Sequence, residues 1–455
     1  MSDLIISVSG VRGIIGDSLT VTTAMEFGQA FGELLKQTVV DDQSVESVKV
    51  AIGRDSRISG PMIQSAFSAG LMAVGVHVVD LGMTTTPSVA LMGRFLKTDA
   101  AVVITASHNP AQYNGIKFIS PDGMAFPGTV INQLKKRYES RSWNLQSIDH
   151  IGTLTTDSRA HAHHVQTILP LVDSKGISAH RYRVVLDSIN GAGCAPSPML
   201  LGKLGVELAH VNNQATGRFA HPPEPTRENL TDLCRQVTRY RAAAGFAQDP
   251  DADRLAVVDE RGCYIGEEYT LALATLSRVM VKPGVIVCNL STSRMVDDIA
   301  AKFKSTVIRT AVGEANVAAA MMEHQAVIGG EGNGGVIDPR IGPVRDSLIG
   351  MGLILELMAR TGKSLSQIVS AIPAYAMIKT KFSATREEAE VLVEKVKAEF
   401  ADQKVDLQDG VRVDWPEGWV HVRPSNTEPI ARVIAEAADD QTAQELIARV
   451  ERLKN

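Results

Sequence analysis

Three mixed α/β domains of similar build in series, followed by a C-terminal α+β domain, are expected from this 455-residue chain. Length requires several domains, because a single hydrophobic core stops growing at about 250–300 residues. A pattern of strand, polar loop, helix and strand begins at Val48, again at Arg183 and again at Val285. Such a unit builds parallel sheet, and its recurrence in order, without residue identity, marks similar domains in series. After Ile372-Pro373 the order changes to a helix, two strands and a terminal helix, an α+β arrangement. The expected domains are 1–150, 154–258, 259–371 and 374–455.

Composition narrows the function. The balance of 44% hydrophobic and 21% charged residues is that of an ordinary globular protein. A net charge of −5 creates no field to attract nucleic acid or an anionic membrane, so neither is expected as a partner. An anionic small molecule would have to be met by local Arg, Lys and backbone N–H groups. Cys194, Cys234, Cys263 and Cys288 are scattered without a CxxC pair and read as reduced. Met1-Ser2-Asp3 carries no basic leader, and no apolar run reaches the roughly 20 residues of a membrane span. A cytoplasmic protein is the expectation.

Leu4–Val8 reads as a strand, and Ser9–Gly16 as a glycine-rich turn in which Arg12 offers a fork-shaped cation to an anion. Thr22–Leu35 reads as a helix opened by a capping box of Thr23 and Glu26. Strand Val48–Ile52, loop Gly53–Gly60, a helix to about Val74 and strand Val76–Val79 make the first repeat unit. The wholly apolar Ala100–Ile104 reads as a buried strand, and Pro110 in Thr105–Pro110 cannot continue a ladder. This leaves Ser107 on a polar turn at a strand's carboxyl end, where open α/β sheets place their chemistry. By the same logic the second unit ends in Ala244–Gln248 and the loop Asp249–Arg254, and the third in Ala326–Gly329 and the loop Gly330–Gly335. His210–Asn229, rich in Gly and Pro, reads as a long surface excursion.

Four loops carry chemistry. Asp249, Asp251 and Asp253 place three carboxylates on alternate positions, a hard-oxygen set suited to Mg²⁺ or Ca²⁺. With Glu260 they mimic an EF-hand, but Arg254 stands where that loop needs Gly, and the flanks read as strands. Three like charges this close repel unless a cation compensates them. Arg423-Pro424-Ser425-Asn426-Thr427 offers a guanidinium, two hydroxyls, an amide and turn N–H groups, a phosphate cradle or equally a plain Ser/Asn turn. In the Gly330–Gly335 loop Glu331 and Asn333 can grip vicinal hydroxyls, although a tight hairpin would look the same. Lys117 lies close enough along the chain to reach the Ser107 site. His161, His163 and His164 share no helix face and read as exposed surface, and Ser107-His108 lacks the G-x-S-x-G of a hydrolase elbow.

In this order the Thr105–Pro110 segment, the Asp-x-Asp-x-Asp-Arg run, the Gly-Glu-x-Asn-Gly loop and the Arg423–Pro429 segment resemble the α-D-phosphohexomutases over nearly the whole chain. The resemblance implies a central cleft, a phosphoserine at Ser107, and one Mg²⁺ held by that group with Asp249, Asp251 and Asp253. It implies sugar contacts from Glu331 and Asn333, and phosphate contacts from Arg423, Ser425, Asn426 and Thr427. Active-site positions also match at Arg12, His108, Lys117 and Arg254. The implied reaction exchanges the 1- and 6-phosphates of a hexosamine or hexose through a 1,6-bisphosphate, with glucose or glucosamine 1,6-bisphosphate as activator. Glucosamine phosphate is the favoured substrate, with mannose and glucose phosphates as alternatives, in a monomer or homodimer. A non-catalytic sugar-phosphate-binding relative is the rival of another class, and intact Ser107 and Asp triplet argue against it. Many members carry Ser where this chain has Asn333 and His where it has Gly335, which leaves the general base open and shifts weight to Lys117. The Gly330–Gly335 form looks more like that of archaeal-type phosphoglucosamine mutases.

Overall fold

A computed structural model of the protein describes residues 4–39, 47–424 and 430–454. The first sheet contains β1 (Ile5–Ser7), β2 (Gly10–Ile14), β3 (Lys49–Arg54), β4 (His77–Met83), β5 (Ala100–Ile104), β6 (Tyr113–Ile119) and β7 (Leu154–Thr156), in the order β1-β2-β6-β5-β3-β4-β7. Its central strands are apolar because both faces are covered. Val50, Ile52, Val102 and Ile104 pack among Phe27, Phe31 and Phe67 on one side. Ala51, Ala101 and Val103 meet Val89 and Met92 on the other. β7 pairs with β4 from beyond the expected boundary near residue 150.

The second sheet is built from β8 (Arg183–Asp187), β9 (Glu207–Val211), β10 (Ala244–Gln248) and β11 (Leu255–Asp259), ordered β11-β10-β8-β9. The third comprises β12 (Val285–Asn289), β13 (Thr306–Thr310), β14 (Ile328–Glu331) and β15 (Gly335–Ile337), ordered β13-β12-β14-β15. One topology therefore occurs three times. The first strand of each unit (β3, β8, β12) pairs in parallel with the second and the third, and the third turns back into an antiparallel fourth. The loop between third and fourth strands is in each case one of the loops singled out for chemistry. A single apolar core joins the second and third units, with Leu186 and Phe246 on one side, Ile286 and Val336 on the other, and Leu271 and Leu353 between them.

The last sheet is antiparallel throughout: β16 (Ala376–Ser383), β17 (Lys404–Asp406), β18 (Val411–Asp414), β19 (Gly418–Pro424) and β20 (Ile430–Ala437), ordered β16-β20-β19-β18-β17. Helices Arg386–Glu399 and Asp440–Glu451 supply Leu392, Val396, Leu446 and Val450 to its core.

Three local expectations are corrected. Ser9–Gly16 is a hairpin, with β2 paired to both β1 and β6, because Gly10 takes φ +102° and the following residues are free to extend. The first helix is Val21–Val39, and it is Thr20 whose Oγ1 accepts the Thr23 N–H at 3.1 Å, while Glu26 pairs with Arg141. His164 is wholly buried, not exposed: its Nε2 donates to Asp346 Oδ2 at 2.8 Å, and Ser88 Oγ lies 2.8 Å from Nδ1. Among the described residues no helix is long and apolar enough to cross a membrane.

Candidate active site

Ser107 sits just beyond β5 in the left-handed backbone region, with φ +49° and 1% exposure. Such a conformation costs free energy in a non-glycine residue and needs support from its surroundings. Arg57 supplies it. Its Nη2 donates to the carbonyls of Ser107 and Asn109 at 2.6 and 2.7 Å, and its Nη1 to those of Pro110 and Tyr113 at 2.8 and 2.9 Å. Nε is held by Asp55 at 3.1 Å, so all five donors of the buried guanidinium are used. Asp55 also accepts from Thr105 Oγ1 at 2.6 Å, and that oxygen accepts the Ser107 N–H at 2.9 Å. Arg57 was not expected at the site.

The result aims Ser107 Oγ across the first domain boundary, where it donates to Asp249 Oδ2 at 2.9 Å. Asp249, Asp251 and Asp253 are fully buried in the turn between β10 and β11, each with an oxygen within 4.8 Å of the others. Asp249 Oδ1 accepts the N–H groups of Asp253 and Arg254, both at 3.1 Å. Asp251 Oδ2 accepts from Thr86 Oγ1 at 2.6 Å and Lys117 Nζ at 2.7 Å. Asp253 Oδ2 accepts from Lys117 Nζ at 3.2 Å and Arg345 Nη2 at 2.7 Å. Among the described residues Asp251 Oδ1 and Asp253 Oδ1 are buried with no donor.

The charges are strongly coupled to their surroundings. Burial, then Asp253 and Asp251, push the Asp249 carboxyl well above its ordinary range. Burial pushes Asp253 the same way, but Arg345 and Lys117 outweigh it and hold that carboxylate well below. For Lys117 burial favours the neutral amine, yet Asp251 and Asp253 more than offset this and raise it. The two ion pairs make Lys117 a counter-charge to Asp251 and Asp253. His108 lies with Nδ1 3.3 Å from Ser107 Oγ, and burial, then Arg254 and Arg12, push it down to about 2, so the imidazole is neutral.

Glu331 ends β14 and is buried beside the same cluster, joined to it by Arg345. Its Oε1 accepts from Asn289 Nδ2 at 2.9 Å and the Gly313 N–H at 3.1 Å, and its Oε2 from Arg345 Nη1 at 2.9 Å and Asn333 Nδ2 at 3.4 Å. Arg12 Nη1 donates to Asn109 Oδ1 at 2.8 Å. Arg254 is near enough to act on both His108 and Asp249, and its Nη1 is 3.8 Å from Glu224 in the excursion. Arg423, at the end of β19, lies 3.7 Å from Asp409 and within the electrostatic reach of Glu331. Ser425, Asn426 and Thr427 lie outside the described residues. Thus Ser107, His108, Arg12, Lys117, Arg254 and the Asp triplet converge, Glu331 and Asn333 join them through Arg345, and Arg423 flanks the group. Sequence reasoning missed Arg57, Thr86 and Arg345, which carry no motif of their own.

Buried carboxylate oxygens without donors fit a cation: the two free Oδ1 atoms offer hard, negatively charged ligands, and a hydroxyl stands beside the third carboxylate. An acidic metal-type cluster, a hydroxyl and several cations brought together from successive domains define a phosphoryl-transfer site. The comparisons agree. Models of the phosphoglucomutase/phosphomannomutase family match in order: alpha/beta/alpha domain I over residues 4–145, domain II over 160–262, domain III over 266–375 and the C-terminal domain over 381–453. A phosphoglucomutase/phosphomannomutase of Thermococcus kodakarensis is 37% identical over 96% of this chain and 95% of its own. A protein of Methanosarcina acetivorans described as a probable phosphoglucosamine mutase is 37% identical over 95% of this chain and 94% of its own. The crystal structure of a Burkholderia thailandensis member superposes with TM-score 0.85 at 27% identity, covering 99% of this chain and 97% of that one. The chain belongs to the phosphoglucomutase/phosphomannomutase family, and it is a phosphohexomutase.

Proposed function

We propose that the protein exchanges the 1- and 6-phosphates of glucosamine phosphate through a phosphoserine at Ser107 and a bound 1,6-bisphosphate. The observation that carries this is the approach of Ser107 Oγ to Asp249 at 2.9 Å beside the donor-free oxygens of Asp251 and Asp253. In the forward step a sugar hydroxyl attacks phosphorus, its oxygen–phosphorus bond forms as the Oγ–phosphorus bond breaks, and the hydroxyl proton ends on Ser107 Oγ. Ser107 is then left as a hydroxyl that donates to Asp249. The reverse step uses the other phosphate of the bisphosphate after the sugar has turned end for end. Mg²⁺, held by Asp249, Asp251 and Asp253, would supply Lewis-acid stabilisation of the transferring group. Lys117 and Arg12 spread its charge, the neutral His108 hydrogen-bonds beside Oγ, and Glu331 and Asn333 orient the ring. Arg254 and Arg423, with Ser425, Asn426 and Thr427, hold the idle phosphate.

The relatives support both a hexosamine and a hexose substrate, so glucose and mannose phosphates form the second reading. The chain acts as a monomer or a homodimer. Four free cysteines suit the cytoplasm. The test incubates purified protein, Mg²⁺ and trace bisphosphate with glucosamine 6-phosphate, glucose 1-phosphate or mannose 1-phosphate. Isomer exchange fastest with the glucosamine compound is expected, and Ser107→Ala should lower it by at least about a thousandfold. Release of inorganic phosphate without isomer exchange would make the protein a phosphatase instead.

A further inference from the structure

No motif marks Arg345, yet it makes more contacts with acidic groups than any other cation of the site. Nη2 donates to Asp253 at 2.7 Å, Nη1 to Glu331 at 2.9 Å, and Nε stands 3.3 Å from Glu314. Its backbone N–H also donates to Glu314 Oε1 at 2.8 Å. One planar fork thus touches carboxylates of the metal loop, the sugar loop and helix Glu314–Glu323. The stem runs directly over Gly335: a Cβ placed there would lie on Arg345 Cδ and 2.9 Å from its Cγ. The side chain is only 10% exposed, so it has little room to move aside.

We propose that Arg345 is the positioning residue that couples the metal loop to the sugar loop, and that glycine at 335 is the space its stem requires. The proposal rests on the reading that the Asp triplet holds Mg²⁺ and Glu331 the sugar. The physical consequence is a pair of opposite effects. Arg345 offsets negative charge beside the triplet, so its removal strengthens the field that a divalent cation meets. It also fixes Glu331, so its removal loosens the group that orients the ring. A side chain that merely propped the fold would weaken both kinds of binding when removed.

The experiment measures Mg²⁺ binding by calorimetry without sugar phosphate, and exchange kinetics with it, for Arg345→Met, Arg345→Ala, Arg345→Lys and Gly335→Ala. Arg345→Met should bind Mg²⁺ at least about threefold tighter, while KM for the sugar phosphate rises about tenfold. Arg345→Lys keeps the charge but not the fork, so Mg²⁺ affinity stays within about twofold while KM still rises. Gly335→Ala should lower kcat/KM at least about tenfold in the native background and far less in Arg345→Ala, which lacks the stem atoms that the new methyl would meet, a non-additive pair. Unchanged or weaker Mg²⁺ binding in Arg345→Met, an unchanged KM, or strict additivity of Arg345→Ala with Gly335→Ala would overturn the proposal. Should Arg345→Met not fold, the Arg345→Lys split and the Gly335→Ala effect decide. Asp251→Asn with Asp253→Asn separates the two readings. Mg²⁺ binding that survives this change sinks the metal reading and the coupling with it. Mg²⁺ binding lost there but indifferent to Arg345 sinks the coupling alone.

Discussion

Arg57 shows what a residue can do that its sequence neighbourhood conceals. The spacing Asp-x-Arg occurs at Asp55/Arg57, Asp157/Arg159, Asp259/Arg261 and Asp338/Arg340, and each time the Asp accepts the Arg backbone N–H. The local turn is therefore legible from spacing alone. The surroundings are not. The Arg159 and Arg261 side chains are 61% and 64% exposed, whereas Arg57 is buried and grips four carbonyls of the Ser107 loop. Replacing it by Lys keeps the charge but provides at most three donors in place of five. Arg57→Lys is expected to cost about 2–4 kcal/mol in unfolding free energy, since buried carbonyls lose their partners. Denaturant titration would measure it. The same variant should lower kcat more than KM, because the loop it releases positions Ser107 rather than the sugar. The Asp triplet was readable because three carboxylates declare their chemistry in one short segment, and Ser107 because its turn takes its place in an ordered set of four loops. Arg345 was not, because its meaning lies in Asp253 and Glu331, 92 and 14 residues away.

At the scale of elements, the three-fold recurrence of topology was visible in the strand–helix order, since apolar runs bounded by polar loops fix it. The five-stranded last sheet was harder to see, for β17 is three residues long and β16 alternates between half-buried and exposed positions. Helix Glu267–Val281 illustrates how tertiary contact overrides local chemistry. Glu268 lies in its first turn, where the helix dipole favours a carboxylate. Yet burial against the Gly332 backbone pushes Glu268 up to about 7, against the pull of Lys379, with Glu267 adding to the rise. Lys379 comes from β16, within 3.4 Å of Glu268 and 2.5 Å of Glu267, so this helix start is where the third domain meets the fourth. A carboxyl whose folded pKa lies above its unfolded value makes the fold bind the extra proton. Its contribution is fully present below about 4.5 and is lost as pH rises through about 7, amounting at most to about 3 kcal/mol. Glu268→Gln, which cannot titrate, should therefore gain in Tm on the native protein as pH rises from 5 to 8. Thermal unfolding across that range checks it, and parallel curves for the two proteins would assign the pH dependence elsewhere.

For the whole molecule the question is how four domains hold one site in register. One buried side chain that links the first three is His164, in helix Ala160–Ile168. One ring nitrogen meets Ser88, in the helix whose Thr86 bonds Asp251. The other meets Asp346, the neighbour of Arg345 and the N-cap of helix Ser347–Thr361 through Leu348 N–H. A bond chain thus runs from the first domain through the second to the third, and each end is one residue or two from a side chain that touches the Asp triplet. No sequence pattern foretells this, because a histidine on a short helix has the same spacing whether it is exposed or enclosed. Loss of the imidazole leaves a buried carboxylate oxygen of Asp346 without a donor and removes one of two partners from the Ser88 hydroxyl, which keeps Thr85 Oγ1 at 2.7 Å, at a cost of about 2–5 kcal/mol. His164→Phe keeps the bulk and removes only the two hydrogen bonds, so any effect on turnover has to come from register. That variant is expected to lose stability by this amount and to lower exchange at least about tenfold at temperatures where it remains folded. Addition of Mg²⁺ and sugar phosphate should raise its Tm by less than it raises that of the native protein. Equal ligand-induced shifts in the two proteins would mean that the three domains keep their register without His164, and that its role ends at stability.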